Sequence, residues 1–452
     1  MTAIAQHSIS RTAEHGGRRK RFRWNTNLFV APALISVAVI FVQVFPSVKY
    51  PNPVKGLNNS ILTSSHSEMA LTRARPSIAY CISISFCMPN QIYSMSSINE
   101  GAAVLAHSIQ QIHEHSNYDY KLYAIVFSSG RTRECSKHLV NYGYELLEQD
   151  IPIEIKELKE TKPSFFKLLK ERGCCGAREL MKLIPFQFVQ HDLVMHLDND
   201  MIFLQPIDEL FDAMLSNDAT TFQNIVTMGQ QPLPTRIDVM FTRDYLQPNR
   251  NEPTSWRKFP IQGGFILAKP SLTLYQEMVH TVSQGNFTIE NGWEGSKVGN
   301  FYGDAQVQGL FAFIWGYKYH ENAVELDRCI YNTHIEDDGI MCKNSTQRNC
   351  DDCSQTPFDQ IKFIHFTTCQ KPWTCGLPWW KNASHSQCRK GHRSWFQMRK
   401  AIEVKYSLQV RLPESHEQEW TLGYCQVYPS NETAYVPMNV PGEPVVAMTN
   451  DT

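Results

Sequence analysis

The chain predicts an α/β fold built around a mostly parallel sheet, and three observations carry that expectation. Short apolar runs alternate with stretches of helical periodicity between residues 79 and 197. Several runs are apolar on successive residues, as strands covered by helices on both faces must be. An acidic triplet, Asp198-Asn199-Asp200, stands directly after one of them. With 452 residues and 42% hydrophobic composition, the chain is long enough to bury a full core.

The elements follow in order. Residues 80–86 form a β-branched run that reads as the first strand, and 100–115 place Ala103, Leu105, Ile109 and Ile112 at helical spacing. Residues 122–127 read as a buried strand, 137–149 as a helix and the Ile-rich stretch 151–155 as a further strand. A helix over 178–189 then leads into a strand over 193–197. Strands alternating with helices imply parallel neighbours with helices on both faces. In such sheets ligands collect beyond the carboxyl ends of the strands, which is where the acidic triplet falls.

Ahead of this body, Arg11, Arg18, Arg19, Lys20, Arg21 and Arg23 precede an uncharged run over 28–45. As a helix that run rises roughly 27 Å, close to the hydrocarbon thickness of a bilayer. Basic residues before a span favour a cytoplasmic N-terminus. The reading is a tail over 1–27, a signal anchor over 28–45 and a stem over 46–77, with a cleaved signal peptide as the alternative. Sequons at Asn58, Asn286, Asn344, Asn382, Asn431 and Asn450 fit a lumenal body, and all 13 cysteines lie beyond the span. Balanced charge, 43 basic residues against 44 acidic, gives no global signal for nucleic acid.

Cys329, Cys342, Cys350, Cys353, Cys369, Cys375 and Cys388 crowd the C-terminal third and suggest a disulfide-rich insertion near 329–388. The interval between Cys350 and Cys353 also suits zinc, but a lumenal setting favours disulfides. An odd total leaves at least one thiol unpaired, and Cys81 in the first strand reads as a buried, inert one. Residues 403–452 read as an extension without a motif.

The triplet is the centre of the functional reading. Residues i and i+2 of an extended chain project to one side, so Asp198 and Asp200 can face a single ion. A hard divalent cation takes oxygen ligands and also holds phosphate oxygens. Such an ion neutralises a leaving diphosphate as a sugar bond breaks.

The segment 191–212, HDLVMHLDNDMIFLQPIDELFD, resembles glycosyltransferase family 8, the glycogenin-like group, whose pattern is a strand, Asp-x-Asp, apolar residues and Ile-Asp-x-Leu-Phe. A second match is 361–373, IKFIHFTTCQKPW, with His365 and Lys371 at the family's interval. The likeness runs from about residue 79 to 373. It implies the GT-A nucleotide-sugar-binding fold over 78–402, a UDP-sugar donor, manganese (or magnesium) and retention of anomeric configuration. It also implies Asp198, Asp200 and His365 as metal ligands and Lys371 on the donor diphosphate. Thr368 stands where many members have glycine.

Further roles follow from the same resemblance. Lys182 reaches the donor, and Asn199 joins the donor-binding residues. PIQGGFILAKPS over 260–271 sets Gln262 against donor hydroxyls, with Gly263 and Gly264 allowing close backbone approach. Gly303-Asp304-Ala305-Gln306 opens an apolar helix over 307–315 and offers Asp304 or Gln306 to the reacting carbon, with Asp304 preferred. Asp304 also suits a helix N-cap. The run Ile82-Ser83-Ile84-Ser85 resembles the family's uracil-binding strand, which implies Ser85 as a nucleotide contact. The expectation is a Golgi or ER type II hexosyl- or glucuronosyltransferase that modifies a glycan or glycoprotein. An inverting enzyme and a non-catalytic lumenal glycan binder stand as alternatives.

Overall fold

The computed structural model describes residues 75–88, 95–216, 225–227, 233–244, 260–334, 353–367, 369–375, 386–408, 421–427, 433–439 and 441. The tail, the span over 28–45, nearly all of the stem, Thr368, Cys342, Cys350 and every sequon but Asn286 lie outside the described residues. Asn286 is exposed. Among the described residues no helix is long and apolar enough to cross a membrane.

The first half alternates much as the periodicity predicts: β1 (Ser77–Ile84), α1 (Met95–Ile112), β2 (Asp119–Phe127), α2 (Gly130–Ser136) and β3 (Tyr144–Gln149). The helix expected over 137–149 is corrected. Only a 3-10 turn, Lys137–Tyr142, forms, and Gly143 closes it with a φ of 92°, its N–H turned back to the Leu139 and Val140 carbonyls. The rest is β3, parallel to β2. The strand expected over 151–155 does not form: Pro152 offers no ladder donor, and Ile155 opens α3 (Ile155–Thr161). After α4 (Pro163–Glu171), a 3-10 segment, Gly176–Gln187, takes the place of the helix expected over 178–189, with Pro185 inside it.

Next come β4 (Leu193–Leu197), buried along its whole length, β5 (Met201–Phe203) and α5 (Asp208–Leu215). They are followed by β6 (Val239–Arg243), β7 (Ile261–Ala268), α6 (Leu272–Gln284), and the short pair β8 (Phe287–Thr288) and β9 (Gly292–Trp293). The chain continues through α7 (Val307–Phe313), β10 (Ala323–Glu325), β11 (Phe363–His365), α8 (Ser386–Lys405), β12 (Cys425–Val427) and β13 (Thr433–Tyr435). The main sheet has seven strands in the order β10-β6-β7-β4-β1-β2-β3. Its neighbours are parallel except β7, which runs antiparallel to both β4 and β6.

Period-two alternation divides β1 between two cores. Ile78, Tyr80 and Ile82 pack with α1 residues such as Leu105 and Ile109, whereas Ala79 and Cys81 pack with Leu180, Leu183 and Phe311. Cys81 is a buried free thiol, as expected. Disulfides link Cys87–Cys135, Cys329–Cys353, Cys369–Cys388 and Cys375–Cys425. Cys353 pairs with Cys329, which takes it from any zinc site with Cys350.

α8 runs through residue 403, where the expected extension begins, and Cys425 within that stretch is tied to Cys375. Buried Arg399 pairs with Glu100 of α1 at 3.2 Å and with Glu403 at 3.3 Å. The Tyr435 hydroxyl donates to Glu100, the Met438 N–H donates to it at 2.8 Å, and the Tyr424 hydroxyl donates to Glu403 at 2.5 Å.

Candidate active site

The strand β4 ends at Leu197, and the chain turns through Asp198-Asn199-Asp200 into β5. Antiparallel pairing of β5 with β11 sets Met201 opposite His365, so a residue distant in sequence arrives beside the acids. The Phe366 N–H donates to the Asp200 carbonyl (2.9 Å) and the His365 N–H to the Thr333 carbonyl (2.8 Å), which holds this crossing from both sides. The His365 Nε2 lies 3.3 Å from Asp200 Oδ1 and 3.8 Å from Asp198 Oδ2. One ligand atom from each of the three residues falls within 4.8 Å of the others.

Two glycines permit this crowding. A Cβ on Gly264 would lie 2.6 Å from Asp198 Oδ2 and press on the His365 ring, and the Asp198 N–H donates to the Gly264 carbonyl at 2.9 Å. On α1, a Cβ at Gly101 would meet the Asn199 carbonyl at 2.6 Å. Any side chain at either position would push the triplet out of place.

Cations frame the acids. Lys182 Nζ lies 2.9 Å from Asp198 Oδ1 and 3.1 Å from Glu179 Oε2, and it donates to the Gly263 carbonyl at 3.1 Å. Lys371 pairs with Asp200. Burial disfavours charge on Asp198, but the Lys182 ammonium, with His365 and His196, holds its carboxyl well below the ordinary range. Burial pushes the His365 imidazole down to about 4 against the pull of Asp198, so the ring is neutral, and its Nε2 shares a hydrogen bond with Thr367 Oγ1 at 2.7 Å that a cation would have to displace. Burial likewise lowers Lys371 to about 8. For Lys182 burial works against the charge, yet Asp198 and Glu179 keep the ammonium protonated well above its usual pKa. Two carboxylates and a neutral imidazole make a donor set suited to a hard divalent cation such as manganese or magnesium.

These groups open into a cavity of about 310 Å³. Its walls include Ser85, Lys182, Asp198, Asn199, Asp200, Gln262, Gly263, Gly264, His365 and Lys371, which the structure therefore gathers in one place. Gln262 Oε1 accepts from the Gly264 N–H at 2.5 Å, so its carbonyl oxygen serves the strand. Phe86, Ile98 and Trp373 supply an apolar wall. A larger cavity, about 510 Å³ and bordered by His107, Tyr142 and Tyr406, contains none of these site residues.

Asp304 and Gln306, expected at the reacting carbon, do not line this cavity. Asp304 is fully buried. Its carboxylate accepts from Arg172 Nε (2.6 Å) and Nη2 (2.8 Å) and from the Asn300 (2.8 Å) and Phe301 (3.3 Å) N–H groups. It organises the turn ahead of α7. The Gln306 carboxamide donates to the Leu169 carbonyl at 2.9 Å, also within the body. Gln308, two residues further on, lines the cavity instead and donates to Asp244, another cavity residue.

Sequence reading passes over Asp244, Gln308, Glu179, Tyr302, Cys174 and Cys175, all cavity residues. Some signals were available. Asp244 directly follows a buried strand, as Asp198 does, and Glu179 stands three residues before Lys182. Nothing local marks Gln308 over Gln306.

The sequence matches no protein-family profile and no curated protein. Among solved structures it is similar to the apo form of the bifunctional glycosyltransferase WbbM, at 14% identity and a TM-score of 0.37. That match spans 71% of this chain and only 50% of WbbM. It is also similar to apo mouse xyloside xylosyltransferase 1, at 15% identity and a TM-score of 0.38, over 66% of this chain and 99% of that one. A third likeness is to galactosyltransferase LgtC with donor and acceptor sugar analogs, at 11% identity and a TM-score of 0.39, over 71% of this chain and 95% of that one. All three are glycosyltransferases by name.

Proposed function

We propose that this chain is a metal-dependent GT-A glycosyltransferase that moves a hexose or hexuronosyl group from a UDP-sugar to a glycan or protein acceptor, with retention. One observation carries the reading: Asp198, Asp200 and neutral His365 converge at a strand end, flanked by two lysines, on an open cavity. A manganese or magnesium ion held by those three residues would offset charge on a departing diphosphate. Lys371 is placed to contribute a second cation, exchanging its contact with Asp200 for a phosphate oxygen. Lys182, already shared between Asp198, Glu179 and the Gly263 carbonyl, orients Asp198 and keeps it ionised. Gly263 and Gly264 let a ligand approach backbone, and Gln262, Gln308 and Asp244 offer polar groups to sugar hydroxyls.

Retention is proposed from the family resemblance, with the leaving phosphate accepting the acceptor's proton. Inversion is a second reading with an observation behind it, because Asp244 puts a carboxylate on the cavity wall that could serve as a base. Product stereochemistry by NMR separates the two. We also propose a type II Golgi or ER protein anchored through 28–45, supported by the basic cluster, the apolar run, the sequons and the disulfides.

The direct test is UDP release from UDP-glucose, UDP-galactose, UDP-glucuronate and UDP-N-acetylglucosamine, with and without manganese. Release is expected with one donor, abolished by EDTA and restored by manganese. No release from any donor, with glycan binding retained, would favour the non-catalytic binder.

A further inference from the structure

A second metal-competent group stands on the wall of the same cavity. Cys174 and Cys175 follow α4 and join Glu179, so that two sulfurs and a carboxylate oxygen fall within 4.8 Å of one another. Cys174 Sγ lies 3.2 Å from Glu179 Oε1. Cys174 is exposed and Cys175 half-buried, so solvent reaches the pair. Eight cysteines among the described residues are committed to disulfides, whereas these two are free thiols. The other sulfur cluster, Cys369, Cys388 and His392, does not compare with it, because its two sulfurs are bonded to each other.

The donor sets of the two cavity groups differ in kind. Two carboxylates and an imidazole suit a hard cation, whereas two sulfurs with one carboxylate suit a soft or borderline ion. We propose that Cys174, Cys175 and Glu179 form a binding site for a thiophilic divalent cation of the zinc class, separate from the Asp198–Asp200–His365 group. Three protein ligands leave the fourth tetrahedral position for water or for a ligand in the cavity. On binding, each thiol gives its proton to solvent and its sulfur lone pair to the metal, with no change of oxidation state. The two groups are linked through Glu179, which lies 3.1 Å from Lys182 Nζ, itself 2.9 Å from Asp198. Glu179 would then be shared, with Oε1 toward the metal and Oε2 toward Lys182.

The test uses cobalt(II) as a spectroscopic probe on the purified full chain. Thiolate ligation produces a near-ultraviolet sulfur-to-cobalt charge-transfer band that oxygen and nitrogen ligands do not, so the two groups are told apart without an activity assay. The band is expected to saturate at one equivalent, to be displaced by zinc, to vanish in Cys174→Ser/Cys175→Ser and to persist in Asp200→Asn. Glu179→Gln should keep the band while weakening affinity by at least about tenfold. Absence of the band, or its survival in the double serine variant, overturns the proposal, as does a Cys174–Cys175 disulfide in the protein as isolated. Should the double variant misfold, reversible methylthiolation of the native chain must abolish the band. A band that survives this treatment is equally fatal.

Discussion

Glu100 and Glu403 are as deeply buried as Asp200, at 1%, 2% and 4% exposure, yet the two regions treat their carboxylates differently. Around Glu100 and Glu403 the chain supplies Arg399, the hydroxyls of Tyr424 and Tyr435 and the Met438 N–H, and none of these residues lines either of the two cavities described above. Around Asp198 and Asp200 it supplies two lysines and a neutral imidazole, and leaves the group facing open space. In the first cluster each oxygen of both carboxylates has a partner, and the cluster ties α1, α8 and the C-terminal strands together. The second is satisfied by groups that can exchange partners. Buried charge thus fastens the fold in one place and, on the proposed reading, receives a cation and diphosphate in the other.

That contrast can be broken by paired substitutions. The largest effect is expected for Asp200→Asn, which should lower manganese-dependent UDP release on the order of 10²–10³-fold. Its denaturation midpoint should match the wild-type protein or exceed it, because Lys371 loses only one exchangeable partner. A large fall in stability with activity retained would contradict the contrast. Arg399→Met should show the reverse. Stranding two buried carboxylates costs about 3–5 kcal/mol in urea unfolding, with turnover per folded molecule unchanged.

Asp304 sharpens the point, since sequence reading placed it at the sugar. Asp304→Asn should weaken the Arg172 pair and cost about 1.5–3 kcal/mol of stability. The Michaelis constant of the surviving enzyme should not move. Gln308→Ala is the smallest effect: roughly tenfold in kcat/KM for the transferred sugar, as expected for one lost hydrogen bond to substrate, without loss of stability. If Asp304→Asn instead lowers turnover at unchanged stability, while Gln308→Ala is silent, the assignment reverts to the original register.

Much of the candidate site was legible because its signals are local. Asp198 and Asp200 stand after an unmistakable buried strand, and β4 forms over the predicted residues. Lys371 follows His365 at a short, fixed interval, so one motif carried both. The errors arose where local pattern competes with tertiary context. Residues 137–149 have helical spacing, yet Gly143 breaks the turn and the edge of β2 captures the remainder as β3. Asp304 and Gln306 fall just short of Gln308, which faces the cavity; Arg172 holds Asp304 and the Leu169 carbonyl holds Gln306.

The sequence by itself determined the strand-end acids, the alternation that makes a mostly parallel sheet, the buried thiol of Cys81 and the abundance of cysteines committed to disulfides. These depend on residue type and on spacing along one element, which periodicity exposes. Only the tertiary structure decided that β11 pairs with β5 to deliver His365, that the C-terminal helix closes over Glu100, and that Gln308 rather than Gln306 meets the cavity. Each of those outcomes turns on contacts between segments far apart in the chain, whose register is set by packing and pairing and leaves no mark on local composition.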